Sequence, residues 1–215
     1  MEILVEHGVL NGDLREPPDA RGLVIFVHGS GSSRFSRRNQ QVAESLDRRG
    51  FATLLLDLLT AREEAIDVRT REYRFDIDRL GSRVSTAVDW VSQRLGLRDL
   101  PLGCFGASTG AAAALIAAAA RPDKVAAVVS RGGRPDLAHT ALPRVAAPTL
   151  LIVGGEDAPV IDMNRQAMRS MTAAHVTIEI VPGATHLFEE PGTLEEVERL
   201  AVDWFARYLR PQPAD

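Results

Sequence analysis

At 215 residues, with 45% hydrophobic and 25% charged residues, the chain has the length and composition of one domain with a sizeable core. A formal net charge of -4 gives no support to a general role in binding nucleic acid or membrane surfaces. The single cysteine, Cys104, excludes an internal disulfide and a cysteine-based metal cluster, and it favours a reducing compartment. The opening residues MEILVEHGVLNG contain neither a basic start nor an apolar run, so we expect no standard secretion signal and a cytoplasmic location.

The predicted elements alternate between strands and helices. The chain opens with ILVEHGVLNGDL, which is typical of an antiparallel hairpin and offers Asn11-Gly12 as a turn. Apolar runs typical of buried strands then cover residues 23–29, 52–58, 102–107, 125–130, 149–155 and 176–183. Helical patterns cover residues 36–49, 76–95, 109–120, 162–174 and 193–209, and the last opens with TLEE, a capping-box pattern.

This alternation predicts an α/β fold with a mostly parallel central sheet, right-handed crossovers and helices on both faces. No repeat, linker or shift in composition divides the chain. We therefore predict a single domain over residues 1–215, with a flexible tail from about 210 to 215.

The run from Leu100 to Ala120 carries no charge and is long enough to cross a membrane. Pro101 and three glycines interrupt it, however, and alanine favours membrane insertion far less than leucine or phenylalanine does. The run is better interpreted as a buried strand followed at once by a buried helix, with a turn around Ser108.

Residues 106–110 read GASTG, which fits the pattern G-x-S-x-G at a strand-to-helix junction. In such a junction the serine lies on a tight turn at the top of the sheet, and the two glycines avoid collisions with neighbouring backbone. The start of the following helix offers free N–H groups that favour a developing oxyanion. A plain glycine-rich turn is the alternative, but this context predicts that Ser108 is a nucleophile.

The chain order supports that prediction, because a triad of the order serine, acid, histidine places each member just after a strand. Asp157 follows the strand TLLIVGG, with Glu156 as its rival for the acid, and His186 follows the strand VTIEIVPG. Three further histidines are less suited to the role of base, since they lie in the hairpin, in a connection, or before a strand: His7, His139 and His175. We predict Ser108, Asp157 and His186 as the catalytic residues.

The segment VHGSGSS predicts the oxyanion hole, in which the backbone amide of Ser30 or Gly31 pairs with that of Thr109. His28 is expected to support this loop and not to act as the base. A dinucleotide-binding turn is the alternative interpretation, but G-x-G-x-x-G would require glycine where the chain has Arg34.

The stretches HGSGSSRFSRRN, LLLDLLTAREE, GASTGAAAAL and SRGGRPDLA resemble those of an α/β hydrolase of the dienelactone-hydrolase-like group. The resemblance runs from about Leu23 to the last helix, and it is strongest to a serine subgroup whose domain occurs alone or joined to a phosphoribosyltransferase-like domain. Dienelactone hydrolases use cysteine as the nucleophile in this strand-to-helix turn, whereas this chain has Ser108. The resemblance therefore implies hydrolase chemistry and leaves the substrate open. Cys104, four residues earlier, is expected to be core packing.

The expected activity is hydrolysis of a small carboxylic ester, thioester or lactone through an acyl-enzyme on Ser108. His186 would accept the serine proton and Asp157 would orient the imidazole. We expect no metal or organic cofactor, and as partner a small-molecule ester, with no nucleic acid and no membrane. Two alternatives remain open: a module that binds a small molecule without turnover, and an acyltransferase.

The substrate pocket is expected to be open, because only about 17 residues separate the fourth and fifth parallel strands, too few for an inserted helical cap. The charged residues 60–75 are interpreted as a loop that forms a partial rim. Several arginines follow the catalytic-side strands, and we hypothesise that Arg34 or Arg131 pairs with a substrate carboxylate or phosphate. The alternative is an ordinary solvated arginine surface.

Overall fold

Eight strands form one sheet in the computed structural model, which describes residues 1–210. Across the sheet they follow the order β1-β2-β4-β3-β5-β6-β7-β8. Their bounds are β1 (Glu2–Val5), β2 (Gly8–Arg15), β3 (Leu23–Val27), β4 (Ala52–Leu56), β5 (Leu102–Ala107), β6 (Val125–Arg131), β7 (Thr149–Gly154) and β8 (Val176–Val181). Strand β2 is antiparallel to both β1 and β4, and every other neighbouring pair is parallel. The tail predicted to be flexible lies, after residue 210, outside the described residues.

Helices cover both faces of this sheet. They are α1 (Arg37–Asp47), α2 (Ala61–Thr70), α3 (Ile77–Ser92), α4 (Thr109–Ala120), α5 (Ala158–Ser170) and α6 (Thr193–Tyr208), with a 3₁₀ helix over Pro135–Arg144. Alternate residues of β3 belong to two apolar clusters, one shared with α3, α4 and α5 and the other with α1 and α6. Burial on both faces explains why β3 to β7 are almost wholly apolar. The predicted α/β hydrolase architecture, with its N-terminal antiparallel hairpin, is confirmed.

The turn of the N-terminal hairpin lies at Glu6 and His7, so the prediction of a turn at Asn11-Gly12 was wrong. Asn11 pairs with Glu2 of β1, and Gly12 pairs with Leu56 of β4. A Cβ on Gly12 would lie 3.0 Å from a side-chain carbon of Leu54. The glycine is therefore explained by close packing of β2 on β4, and not by a turn.

Residues 60–75 are not simply the charged loop that was predicted, because α2 occupies most of them. The helix begins with a capping box: the Thr60 hydroxyl accepts from the Glu63 amide, and the Glu63 carboxylate accepts from the Thr60 amide. Glu63 also forms ion pairs with Arg83 and Arg79 of α3. These contacts attach α2 to α3 beside the carboxyl end of β4.

The capping box predicted for the last helix is absent, since α6 follows Gly192, which has a positive φ of 83° and no side chain to cap the helix. Thr193 lies inside the helix, and its hydroxyl donates to the carbonyl of Glu190 (2.7 Å). Helix α5 begins at Ala158, four residues before the predicted start, because proline occupies its first turn and favours helix initiation there.

Strand β5 and helix α4 together account for the uncharged run from Leu100 to Ala120, and α4 forms its second half. Nine of the twelve residues of α4 are buried, and most of them are alanines. The small side chains allow close contact with α3, where a Cβ on Gly81 would lie 2.5 Å from Ile116. Among the described residues, no helix combines the length and the hydropathy needed to span a bilayer.

Candidate active site

The turn between β5 and α4 consists of Ser108 alone, in a strained conformation with φ 51° and ψ -124°. The flanking glycines have no room for a side chain. A Cβ on Gly106 would lie 2.5 Å from the Cα of Ala111, and one on Gly110 would lie 2.3 Å from the carbonyl oxygen of Val27. The tight strand-to-helix junction therefore requires glycine at both positions.

Gly110→Ala is expected to lower the free energy of unfolding by about 3 kcal/mol, because its Cβ can be accommodated only if β3 and α4 move apart. Urea unfolding followed by circular dichroism measures this loss. Gly50→Ala is the matched control: nothing lies within 4 Å of its Cβ position, and only its positive φ of 79° opposes alanine. We expect the control to lose about 1 kcal/mol. Equal losses in the two variants would contradict the steric account.

The structure brings together Ser108, His186 and Asp157. His186 follows β8 and Asp157 follows β7, and both strands end at the same edge of the sheet as β5. The Ser108 Oγ lies 3.4 Å from the His186 Nε2, and the His186 Nδ1 lies 2.7 Å from the Asp157 Oδ2. If Nδ1 carries the proton and donates to Asp157, Nε2 is free to accept the serine hydroxyl proton. A length of 3.4 Å is common for a nucleophile and its base without substrate.

Glu156, the rival for the acid, forms no side-chain hydrogen bond or ion pair within residues 1–210. Its amide donates to the carbonyl of Ala184 (2.9 Å), which ties the β7 loop to the histidine loop. Asp157 is thus the carboxylate beside His186, and its side chain is only 15% exposed. The remaining candidate bases lie elsewhere: His7 in the hairpin turn, His139 in the 3₁₀ helix and His175 just before β8.

The glycine-rich loop after β3 lies against the serine, since a Cβ on Gly29 would be 3.0 Å from the Cβ of Ser108. The Ser30 amide donates to the Thr109 hydroxyl (2.8 Å). The Gly31 amide has no hydrogen-bond partner among the described residues. Thr109 is the first residue of α4, where amides have no carbonyl partner within the helix. The amides of Thr109 and Gly31 are therefore available to a ligand, whereas that of Ser30 is occupied by Thr109.

His28 connects two loops at the edge of the site. Its Nε2 accepts from the Leu58 amide (3.1 Å), so its Nδ1 carries the proton and donates to the Gly29 carbonyl (2.9 Å). Burial lowers the pKa of His28, which keeps the ring neutral. Both ring nitrogens are used in holding the loop.

The two arginines proposed to bind a substrate anion lie in different surroundings. Arg34 forms ion pairs with Asp57 and Asp13, and its amide donates to Asp57 (2.8 Å). Arg131 ends β6 with its side chain buried, and its Nη2 donates to Asn39 of α1 (3.3 Å). The guanidinium of Arg34 is thus already paired with carboxylates, whereas that of Arg131 is not.

Sequence reasoning did not single out Arg74, which lines a small cleft with the loop after β3 and with Leu58, Leu59, Glu64 and Leu80. Its Nε donates to the Asp67 carboxylate (2.6 Å) and its Nη2 to the Asp67 carbonyl (3.0 Å). The Nη1 has no partner among the described residues, and it would lie 3.1 Å from a Cβ placed on Gly31. Arg74 therefore presents one fixed, free N–H₂ group beside the loop.

Asp67 is the buried anchor of Arg74. Burial alone would raise the pKa of Asp67, but hydrogen bonds from the amide and guanidinium of Arg74 and from the Tyr73 amide lower it below its usual value. The carboxylate therefore stays charged, and the arginine is held in place by a charged partner.

Cys104 is fully buried within β5, and burial raises the pKa of its thiol to about 12. A thiol that remains protonated and has no access to solvent is not a nucleophile.

A cavity of about 750 Å³ lies where β5 begins, at the other end of that strand from Ser108. Ligands of open α/β sheets bind beyond the carboxyl ends of the strands, so its size does not make it the active site. Within residues 1–210, no three His, Cys, Asp or Glu side chains are grouped as metal ligands would be.

The strand order and the turn at Ser108 define an α/β hydrolase fold. A family model described as the dienelactone hydrolase family matches residues 10–209. The chain belongs to the dienelactone hydrolase family, which confirms the resemblance seen in its sequence. The crystal structure of a dienelactone hydrolase from Anabaena variabilis superposes with a TM-score of 0.95 at 56% sequence identity, covering 98% of this chain and 97% of that one.

Other relatives differ in length or in sequence. Two proteins of Mycobacterium tuberculosis strains CDC 1551 and H37Rv, each named "Putative phosphoribosyl transferase", are 54% identical over 198 residues, covering 92% of this chain. The chain spans 44% of their length, less than half. Est1E from Butyrivibrio proteoclasticus shares the fold, with a TM-score of 0.79 at 18% identity, covering 96% of this chain and 97% of that one.

Proposed function

We propose that the protein is a serine hydrolase that cleaves a small carboxylic ester, thioester or lactone through an acyl-enzyme on Ser108. The observation that carries this proposal is the chain of contacts from Ser108 through His186 to Asp157, at 3.4 Å and 2.7 Å. Membership of a hydrolase family supports it. A cytoplasmic location stays a prediction.

In the first step, the Ser108 Oγ attacks the substrate carbonyl while His186 Nε2 accepts its proton. The carbonyl oxygen becomes negative, and the amides of Thr109 and Gly31 stabilise it by hydrogen bonding. Asp157 keeps the imidazole in the tautomer that can accept, and it stabilises the imidazolium that forms. His186 then protonates the leaving oxygen or sulfur, and the acyl group stays on Ser108. The alcohol or thiol of an ester or thioester departs, whereas the hydroxyl of an opened lactone remains part of the acyl group.

In the second step, His186 removes a proton from water, which attacks the acyl-enzyme. The same amides hold the oxyanion, and Ser108 recovers its proton as the acid product leaves. Every proton transfer in both steps is assigned to His186.

The substrate is proposed to be small or to protrude from the protein. The 3₁₀ helix between β6 and β7 packs against α4 and leaves no inserted cap within the described residues. The cleft beside Gly31 offers leucine side chains and the free Nη1 of Arg74. We propose that the substrate lies over the mouth of this cleft, whose volume of about 10 Å³ admits only a water-sized group, and that Arg74 pairs with a carboxylate on the substrate.

Arg74→Gln is expected to raise KM about tenfold for esters that carry a carboxylate and to leave KM for neutral esters within twofold, since one charge-assisted hydrogen bond is lost. Initial rates on paired neutral and anionic p-nitrophenyl esters measure the difference. Arg71→Gln is the matched control, because Arg71 is exposed and forms no ion pair within residues 1–210. An equal rise in KM for both esters would contradict a role in recognising charge.

The same ester pair tests the hypothesis made for Arg34 and Arg131, which stays a prediction. Loss of activity on anionic but not on neutral esters in Arg34→Ala or Arg131→Ala supports substrate pairing. Equal activity on both would remove that residue from the substrate site.

Two other functions fit the fold. A binding module predicts ligand-induced thermal stabilisation without ester turnover, and an acyltransferase predicts faster release of the leaving group when an acceptor alcohol is added. We propose that the transferase named for the M. tuberculosis relatives resides outside the region that matches this chain. A panel of short-chain esters, thioesters and lactones, assayed with and without acceptor alcohols, separates these functions from hydrolysis.

A further inference from the structure

Two arginines on the α1 side of the sheet carry buried N–H groups that have no partner. Arg131 is 7% exposed, and its Nε and Nη1 have no hydrogen-bond partner among the described residues. The Nε of Arg38 is also buried and has no hydrogen-bond partner among the described residues. The guanidinium of Arg131 forms one hydrogen bond, from Nη2 to the Asn39 Oδ1 (3.3 Å). Three buried donors are therefore unsatisfied among the described residues, and Asn39, which contacts Arg131, is the residue next to Arg38.

The charge of Arg131 is also uncompensated within the part of the chain that the structure describes. Burial, and next the neighbouring charge of Arg38, lower the pKa of Arg131 to about 10, so the guanidinium remains protonated at neutral pH. Within residues 1–210 no carboxylate forms an ion pair with Arg131, and Arg38 pairs with Glu189, whose side chain is 63% exposed. A buried charge without a counter-ion is unfavourable, which makes an anion the expected occupant.

We propose that Arg131 and Arg38 form a binding site for a compact oxyanion, a phosphate or a carboxylate, at the start of α1. The unpartnered N–H groups of two guanidinium ions match the oxygens of such an anion. Arg38 and Asn39 belong to the first turn of α1, which contains no acidic residue and whose dipole favours negative charge.

The site is connected to the catalytic residues by short contacts. The Arg131 carbonyl accepts from the Ser108 amide (3.2 Å). A Cβ on Gly132, the next residue, would lie 2.9 Å from the His186 carbonyl oxygen. Glu189, which pairs with Arg38 (2.7 Å), follows His186 by three residues. A bound anion would thus tie the end of β6 and the start of α1 together beside the loop that carries His186.

Thermal unfolding with increasing inorganic phosphate, at ionic strength held constant with sodium chloride, tests the site without requiring turnover. We expect a saturable rise in Tm of about 5 °C at a phosphate concentration about 100-fold above Kd. Arg131→Gln should abolish the rise and Arg38→Gln should at least halve it. Arg37→Gln is the matched control and should keep it, because Arg37 is exposed and forms no hydrogen bond or ion pair through its side chain within the described residues.

The Arg131→Gln variant gives a second readout, because it removes an uncompensated buried charge. In phosphate-free buffer it should melt no lower than the wild type, and in saturating phosphate it should melt lower. An unchanged phosphate response in Arg131→Gln, or no saturable response in the wild type, would overturn the proposal. If Arg131→Gln does not fold, Arg38→Gln decides, since its side chain is 33% exposed and an unreduced response there overturns the proposal equally.

The phosphate or carboxylate bound by Arg131 and Arg38 is either a free ion or a group of the substrate, and enzyme kinetics distinguish these two sources. A substrate-borne anion predicts that phosphate competes with anionic esters and not with neutral ones. A free anion predicts that phosphate leaves both KM values unchanged. These kinetic comparisons rest on the proposed esterase activity, whereas the melting experiment does not, so failure of one is distinguishable from failure of the other.

Discussion

Ser108→Ala is expected to lower kcat for ester hydrolysis by about 10,000-fold or more, because the acyl-enzyme cannot form without the Oγ. The hydrolysis rate of p-nitrophenyl acetate, measured with both proteins at equal concentration, gives the ratio directly. The fold should be retained, since alanine takes the space of serine and, among the described residues, the Ser108 side chain forms a hydrogen bond only with His186. A melting curve for the variant checks that point.

Ser32→Ala is the matched control for the nucleophile. Ser32 lies in the loop after β3 and lines the cleft beside Arg74, so its loss is expected to act on KM; its side chain forms no hydrogen bond among the described residues. Its kcat should stay within about twofold of the wild type. Retention of more than a few per cent of the activity in Ser108→Ala would mean that another residue attacks the ester.

Asp157→Asn is expected to lower kcat by about 10,000-fold, because an amide in place of the carboxylate favours the wrong tautomer of His186 and no longer stabilises the imidazolium. The Asp157 Oδ2 lies 2.7 Å from the His186 Nδ1, so the change acts directly on the base. Stopped assays with excess enzyme measure rates this low.

Glu156→Gln separates the two adjacent carboxylates. The Glu156 side chain forms no hydrogen bond with His186 in the described structure, so its variant should keep kcat within about twofold. A large loss of kcat in Glu156→Gln, together with a loss below tenfold in Asp157→Asn, would mean that Glu156 and not Asp157 is the acid of the triad. Large losses in both would indicate that the β7 loop as a whole had moved.

The fold was predictable wherever a segment is buried on both faces of the sheet. The continuous apolar runs from β3 to β7 carry that signal, because their residues alternate between two cores. The sequence-based prediction failed where contact with another strand decides the local structure. Gly12 looks like a turn residue, but its role is set by contact with Leu54 of a strand far along the chain.

The helix α2 shows that a sequence signal can be present and be assigned to the wrong place. Thr60 and Glu63 form the capping box, and the pattern T-x-x-E occurs in both TARE and TLEE. Thr193 follows Gly192, whose φ is positive, and is already the first residue of the helix, so it does not cap it. Local sequence could not separate the two cases, since the burial of Glu63 against Arg83 depends on how α2 packs on α3.

The candidate site was predictable where it depends on chain order and strand ends. Sequence reasoning selected Asp157 and His186 because each follows a parallel strand, and the structure places His186 beside Ser108 and Asp157 beside His186. Side-chain pairing could not be predicted. The ion pair between Arg34 and Asp57 requires β3 and β4 to be neighbours, and the free Nη1 of Arg74 requires its attachment to Asp67.

The central claim is that Ser108 is an activated nucleophile, and labelling with a fluorophosphonate tests it most directly because no substrate need be known. Intact and peptide mass spectrometry of the wild type, Ser108→Ala and Ser32→Ala locate the adduct. We predict one adduct per chain on Ser108, absent from Ser108→Ala and present in Ser32→Ala. A folded wild-type protein that remains unlabelled, or one labelled at another residue, would contradict the account and favour the binding module.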